Sequence, residues 1–302
     1  MSEYHTPVLL EESVSALAVS NGGIYVDVTF GGGGHSREIL SRMGKDSRLI
    51  VFDRDPDAIA NVPDDKRIKF VNNNFRFVHN HLVYLGFEKV DGILADLGVS
   101  SHQFDTEERG FSFRFHSRLD MRMNPLTNEG ADGVIANKSE GELEQLFRLY
   151  GEVENSRRVA KLICQERERE PIETTTRLNH ILEPVTPKIG GHKYLAKIYQ
   201  ALRIEVNGEM RSLEGFLNGS LRALKPGGRL VVITYHSLED RMVKNFMKSG
   251  NISGDIKKDF YGNRISPLSV VLRKPLVPDE EEISRNTRAR SAKLRVAEKT
   301  EV

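Results

Sequence analysis

The chain has 302 residues, and 44 Lys and Arg against 43 Asp and Glu leave a formal net charge of +1. With 38% apolar and 29% charged residues it has the composition of a folded globular protein, not a disordered or fibrous one. No apolar run approaches the roughly 18 residues of a membrane span. Met1-Ser2-Glu3-Tyr4-His5 lacks the basic and apolar regions of a secretion signal, so a cytoplasmic protein with no membrane partner is expected. The single cysteine, Cys164, excludes an internal disulfide and a cysteine-built zinc site, and reads as a buried small hydrophobe. No metal is expected. Near neutrality argues against coating nucleic acid by bulk charge, yet leaves room for a local basic surface.

In chain order, Ile24–Val28 predicts a strand that runs into Gly31-Gly32-Gly33-Gly34. Leu49–Phe52 predicts a second, ending at Asp53, and Ile68–Val71 a weaker third. Val90–Ala95 predicts a fourth, ending at Asp96. Strands alternating with helical patterns predict βαβ units and a mostly parallel α/β sheet. A further strand, Arg229–Ile233, follows the turn Lys225-Pro226-Gly227-Gly228, and Leu268–Leu272 with Lys293–Ala297 suit an antiparallel pair at one sheet edge. The 132 residues between Asp96 and Arg229 far exceed the dozen or so of a crossover, so a helical insertion is expected at 105–203, dividing 1–104 from 204–302. Within it, Ser139-x-x-Glu142 is a capping box, Asn155–Glu170 a highly charged helix, and Leu178, Ile181 and Leu182 mark a third helix ending near Pro184. One helix from about Ile204 to Leu224 returns the chain to the sheet.

A strand that ends in glycines and opens a helix brings backbone N–H groups against a ligand, because no Cβ blocks the approach. Asp53, 20 residues after Gly33, stands where an acid accepts hydrogen bonds from ribose hydroxyls. Both features suit a dinucleotide or S-adenosylmethionine. The third glycine of G-x-G-x-x-G is replaced by Ser36, and Asp27 beneath the loop favours a cationic sulfonium and ammonium over a pyrophosphate. A tight packing turn is the bland alternative. Asp96 ends a central strand, where open α/β sheets place their chemistry. A carboxylate there suits an acceptor for the hydrogen of a poorly nucleophilic exocyclic amine, or else organises the turn that follows. Ser100 and Ser101 read as turn residues.

Taken together, His5-Thr6-Pro7-Val8-Leu9, Asp27-x-Thr29-Phe30-Gly31-x-Gly33-Gly34-His35-Ser36, Asp53-Arg54-Asp55, Asp96–Ser101 with Gln103, Arg109–Phe113, Leu119–Met123, His236–Arg241 and Arg288–Ser291 resemble the RsmH (MraW) family of ribosomal RNA small subunit methyltransferases. The resemblance spans nearly the whole chain in order. It implies a class I (Rossmann-like) methyltransferase fold with a helical insertion, and N4-methylation, from S-adenosylmethionine, of a cytidine in the decoding region of 16S rRNA. It implies cofactor contacts at Gly33, Gly34, His35, Asp53, Phe75, Asp96 and Gln103, and the small ribosomal subunit as partner; a homodimer is compatible with it. Gly32 departs from a family pattern that favours a larger residue, and Leu97-Gly98-Val99 stands where other amino-methyltransferases carry Pro-Pro-aromatic.

On the substrate side, Tyr235 follows the strand Arg229–Ile233 and suits stacking on an extruded base, with His236 on the cytosine edge; both also suit structural packing. Arg109, Arg114, Arg118 and Arg122 are interleaved with Phe111, Phe113 and Phe115, which suits an RNA strand or an amphipathic loop with solvated arginines. Arg285–Arg295, with Arg288 and Arg290, is a second phosphate candidate or a solvated face. Three functions stand open: the rRNA methyltransferase, an S-adenosylmethionine enzyme acting on DNA or protein, and a ribosome-assembly factor that keeps the pocket for docking. A dehydrogenase is a distant fourth.

Overall fold

A computed structural model describes residues 7–99, 106–126 and 129–301. The chain forms two compact units, one of Met1–Gly98 with Met210–Val302 and one of Val99–Glu209.

Among its described residues the first unit is built on nine strands: β1 (Ile24–Asp27), β2 (Arg48–Asp53), β3 (Ile68–Asn72), β4 (Val90–Asp96), β5 (Leu224–Thr234), β6 (Lys257–Lys258), β7 (Arg264–Ile265), β8 (Leu268–Val270) and β9 (Lys293–Lys299). Seven form one sheet in the order β3-β2-β1-β4-β5-β9-β8, and β6 pairs only with β7. Strands β1 to β5 are mutually parallel; β9 is antiparallel to both β5 and β8. Leu49–Phe52, Ile93–Ala95 and Leu230–Ile233 are uninterrupted apolar runs because both faces of a parallel sheet are covered. The period of two sends Val26, Ile50, Phe52 and Ile93 to one face, against α3 (Val78–Tyr84), α9 (Glu209–Ala223) and α10 (Ser237–Ser249). Tyr25, Leu49, Val51 and Leu94 face the other way, against α1 (Leu10–Leu17) and α2 (Gly34–Arg42). Strand order turns back between β1 and β4, so the loops at their carboxyl ends diverge and open a crevice there.

The second unit holds α4 (Ala131–Asn137), α5 (Glu140–Gly151), α6 (Ser156–Arg167), α7 (Thr175–Leu182) and α8 (Gly191–Asn207) around its own core of Leu143, Phe147, Val159, Ile163, Leu178 and Leu202. The capping box at α5 is complete: Glu142 N–H donates to Ser139 Oγ, and Ser139 N–H donates to Glu142 Oε2 at 2.9 Å. Cys164 is only partly buried beside this core. Among the described residues no helix is long and apolar enough to cross a membrane.

Two elements differ from the sequence reading. The single helix expected over Ile204–Leu224 is two, because Gly208 takes a left-handed φ of 55° and ends α8. The turn Lys225–Gly228 lies inside β5, not before it: Leu224 pairs with Val90, the register then shifts, and Arg229 pairs with Gly92. Gly227, at φ 77°, makes this irregularity and Lys225 braces it on Asp91 at 2.9 Å.

Candidate active site

The glycine bend joins β1 to α2. Gly31 and Gly33 have φ of 49° and 76°, a region that favours glycine, whereas Gly32 does not, so the family's larger residue fits at that position. A Cβ on Gly34 would meet Pro7 Cγ at 2.1 Å, so Pro7 lies directly on the bend. His35, in the first turn of α2, is buried and its Nε2 donates to the Val8 carbonyl at 3.2 Å. Burial holds its ring neutral, down at about 4.

Asp27 is fully buried and accepts from Ser36 Oγ at 2.6 Å and from Thr29 N–H at 3.1 Å. Its oxygens shape the bend, and what they offer a ligand is charge from beneath. Burial, opposed by the Ser36 and Thr29 bonds and reinforced by Asp53, raises its carboxyl to about 6. Asp53 accepts from Gly31 N–H at 2.7 Å and Asp55 N–H at 2.8 Å, one bond on each oxygen. Each oxygen keeps one lone pair for another donor. Phe75 opens a short 3₁₀ turn after β3 and stands edge-on to Phe216 at 5.5 Å, half-buried.

Asp96 ends β4. Its N–H donates to Thr29 Oγ1 at 2.6 Å, locking the β4 end to the β1 loop. Tyr235 Oη donates to Asp96 Oδ1 at 2.7 Å, and Oδ2 lies 3.9 Å from His35 Nδ1, which carries no charge. Burial raises the Asp96 carboxyl to about 7; the Tyr235 bond lowers it, and Asp27, Glu239 and Glu282 raise it further. Its side chain keeps 23% of its surface exposed. Tyr235 is itself held far above the ordinary phenol range by burial and by the Asp96 charge, and stays a donor.

Tyr235 and His236 both have structural partners in this fold. Tyr235 packs on Gly98, its hydroxyl is spent on Asp96, and its N–H donates to Glu239 Oε2 at 2.9 Å. His236 is the N-cap of α10: its Nδ1 accepts the Glu239 N–H, and its Nε2 lies 3.1 Å from Glu239 Oε1. Its side chain is 8% exposed, and among the described residues Nε2 makes no hydrogen bond. Sequence reasoning overlooked Thr29, Glu239 and Glu282 as site residues. Glu239 stands three residues after the N-cap, the spacing of a capping box with His in place of Ser or Thr. Glu282 accepts from Leu9 N–H at 2.8 Å across 273 residues, which no local pattern announces. Gln103, Ser100 and Ser101 lie outside the described residues.

The arginines divide. Arg109 donates to the carbonyls of Arg122 and Met123, and Arg122 grips Asp120 through two bonds of 2.7 and 2.8 Å, so both hold their own loop. Arg118 pairs with Asp132 at 3.0 Å. Arg118 and Arg122 line a cavity of about 640 Å³, but Glu129, Asp132, Glu168 and Glu173 share its wall and disfavour a phosphate there. Arg114 is exposed, beside exposed Phe115, whereas Phe111 and Phe113 pack into the unit's core. Near the C-terminus, Arg295 and Lys293 are tied to Asp240, Arg285 reaches Glu281, Arg288 is half-buried, and Arg290 is exposed.

A parallel β3-β2-β1-β4-β5 sheet with an antiparallel β9 beside β5, a glycine bend after β1 and acids ending β2 and β4 define a class I, Rossmann-like methyltransferase. The sequence pattern of the MraW methylase family matches residues 2–300. The chain is 56% identical to the ribosomal RNA small subunit methyltransferase H of Bacteroides fragilis, covering 98% of this chain and 97% of the relative. It is 54% identical to the enzyme of that name from Parabacteroides distasonis and 52% identical to that of Flavobacterium johnsoniae, over 98% of this chain in each case and 97% and 98% of those relatives. The chain belongs to the MraW methylase family.

Proposed function

We propose that the protein methylates the N4 amino group of a decoding-region cytidine in small-subunit ribosomal RNA, using S-adenosylmethionine, in the cytoplasm. The observation that carries this reading is Asp96: a partly exposed carboxylate at the switch point of the sheet, with one oxygen pinned by Tyr235 and the other without a hydrogen bond among the described residues. The names of the relatives support rRNA as the substrate class.

The residues present fit the cofactor. Asp27, Asp53 and Asp96 gather acid around a bend whose glycines admit a close backbone approach. That set favours a ligand carrying a sulfonium and an ammonium over a diphosphate, which counts against a dinucleotide. S-adenosylmethionine supplies the electrophilic methyl group when bound. Asp53 offers its remaining lone pairs to ribose hydroxyls, and Phe75 offers a face to the adenine. Asp96 Oδ2 accepts an amine hydrogen, which draws the nitrogen lone pair out of the ring and aligns it for attack. With a carboxyl at about 7, Asp96 is basic enough to hold the proton released as the new N–C bond forms. Tyr235 fixes the carboxylate and keeps Oδ2 toward the amine. The insertion, with Arg114 and Phe115 exposed on it, serves RNA recognition, as does Arg290.

Methyl-transfer assays on small-subunit particles, free rRNA and duplex DNA test this reading together with nucleoside mass spectrometry of small-subunit RNA from cells lacking the protein. Loss of N4-methylcytidine is expected; incorporation only into DNA overturns the proposal.

A further inference from the structure

After α10 the chain forms the isolated hairpin β6–β7, separate from the main sheet. At its tip Phe260 is 97% and Tyr261 85% exposed, their rings edge to face at 5.6 Å, and neither joins a hydrophobic core. Folding gains nothing from two such rings in water. The register sets Lys258 directly opposite Arg264, a like-charge cross-strand pair that destabilises a two-stranded ribbon. Lys257 adds a third cation, all three exposed, and among the described residues none has a hydrogen-bond or ion-pair partner on its side chain. The one acid in the hairpin, Asp259, is consumed by its turn: it accepts Asn263 N–H at 2.8 Å and Asn263 Nδ2 at 3.0 Å, bonds that lower its carboxyl.

We infer that this hairpin is a docking platform for a single-stranded RNA segment, with bases stacking on Phe260 and Tyr261 and phosphates relieving the repulsion between Lys258 and Arg264. The inference rests on the rRNA reading above and adds a contact surface outside the insertion. The alternation of exposed rings and unpaired cations fits RNA better than a protein partner, whose surface would leave three cations to be desolvated.

The test uses the full chain with two double variants, Phe260→Ala with Tyr261→Ala and Lys258→Glu with Arg264→Glu. Affinity for protein-free small-subunit rRNA is read by filter binding at several salt concentrations, independently of methyl transfer, and cofactor affinity by calorimetry reports folding. The aromatic variant should bind RNA at least about tenfold more weakly. The charge variant should flatten the salt dependence by about 1.4 in slope, for two lost phosphate contacts on a single strand. Cofactor affinity should be unchanged in both. RNA carrying 4-thiouridine should cross-link to the peptide containing Phe260 and Tyr261. RNA affinity and salt slope equal to the parent's overturn the inference. So does a loss seen only with protein-containing particles, which makes the surface a ribosomal-protein contact, or binding of anionic vesicles in place of RNA. A parent protein that binds RNA through this hairpin yet methylates none overturns the functional reading alone.

Discussion

Asp96 and Tyr235 share one hydrogen bond, which orients the carboxylate and offsets part of the rise that burial gives its basicity. Asp96→Asn removes the proton acceptor but keeps the volume, and should lower kcat by about 10²–10⁴-fold with a smaller loss of cofactor affinity. Single-turnover methyl transfer beside calorimetric cofactor binding separates the two effects. Tyr235→Phe removes a bond that lowers the Asp96 carboxyl from its burial-raised value, so the acid limb of the kcat/KM profile should move to higher pH. An unmoved limb would show that Asp96 does not govern it. Asp27 has a folded-state carboxyl at about 6, above its ordinary value near 4, so it stabilises the fold below pH 4 and that contribution is lost as pH rises through 6. Asp27→Asn should therefore flatten the fall in unfolding free energy between pH 4 and pH 6, by up to about 3 kcal/mol, as read from urea titrations across that range. His35 works the other way, losing its contribution as pH falls from 6.5 toward 4, so it offsets the Asp27 slope and the effect is read as the difference between parent and variant at each pH. At this scale the sequence exposed Asp96 and Asp53 because they end apolar runs. It left Tyr235 and His236 open between base contact and structural packing, because a side chain's partner depends on what a neighbouring strand brings to it, and Asp96 lies 139 residues from Tyr235.

The glycine bend and the helix caps decide how each element begins. Gly33→Ala places a side chain at φ 76° and its Cβ 2.9 Å from Phe30 Cζ, which should cost more than the roughly 1 kcal/mol of an ordinary glycine replacement and weaken cofactor binding with it. Gly32→Ala, free of that φ, should leave both nearly unchanged; equal losses in the two variants would refute the distinction. The central strands β2, β4 and β5 were legible as apolar runs, since strands buried on both faces need no alternation. The interruption in β5 was not, because Lys-Pro-Gly-Gly reads as a chain reversal when its partner strand is unseen. The break at Gly208 was misread for a related reason: one glycine inside a helical pattern is tolerated as often as it terminates, and only the backbone angle decides.

Across the whole molecule the charges nearly cancel, so RNA attraction must come from local surfaces rather than the net field. Of the basic residues singled out in the sequence, Arg109, Arg122 and Arg295 are bound to the protein's own carbonyls or acids, whereas Arg114 and Arg290 are exposed. Replacing Arg114 and Arg290 with Glu should weaken rRNA binding and reduce its salt slope, while Arg122→Ala should act through stability. Binding measured at several salt concentrations, with thermal unfolding alongside, distinguishes these effects, and an intact salt slope in the first variant removes both residues from the RNA surface. Charge runs in a sequence show only sign; which cations are spent internally emerges once the acids are placed.

The lid formed by Pro7, Val8 and Leu9 over the glycine bend is pinned by Glu282, which leaves the ribosome 273 residues after Leu9. Vectorial synthesis therefore delivers the bend long before the clasp that fastens its cover, and β9, which must slot between β5 and β8, emerges later still. A nascent chain halted before residue 282 carries an unfastened lid and a bare β5 edge, a template for intermolecular pairing that the finished protein buries. Maturation of the pocket is thus a late, near-release event, and chaperone occupancy on arrested chains should persist until the distal segment is out.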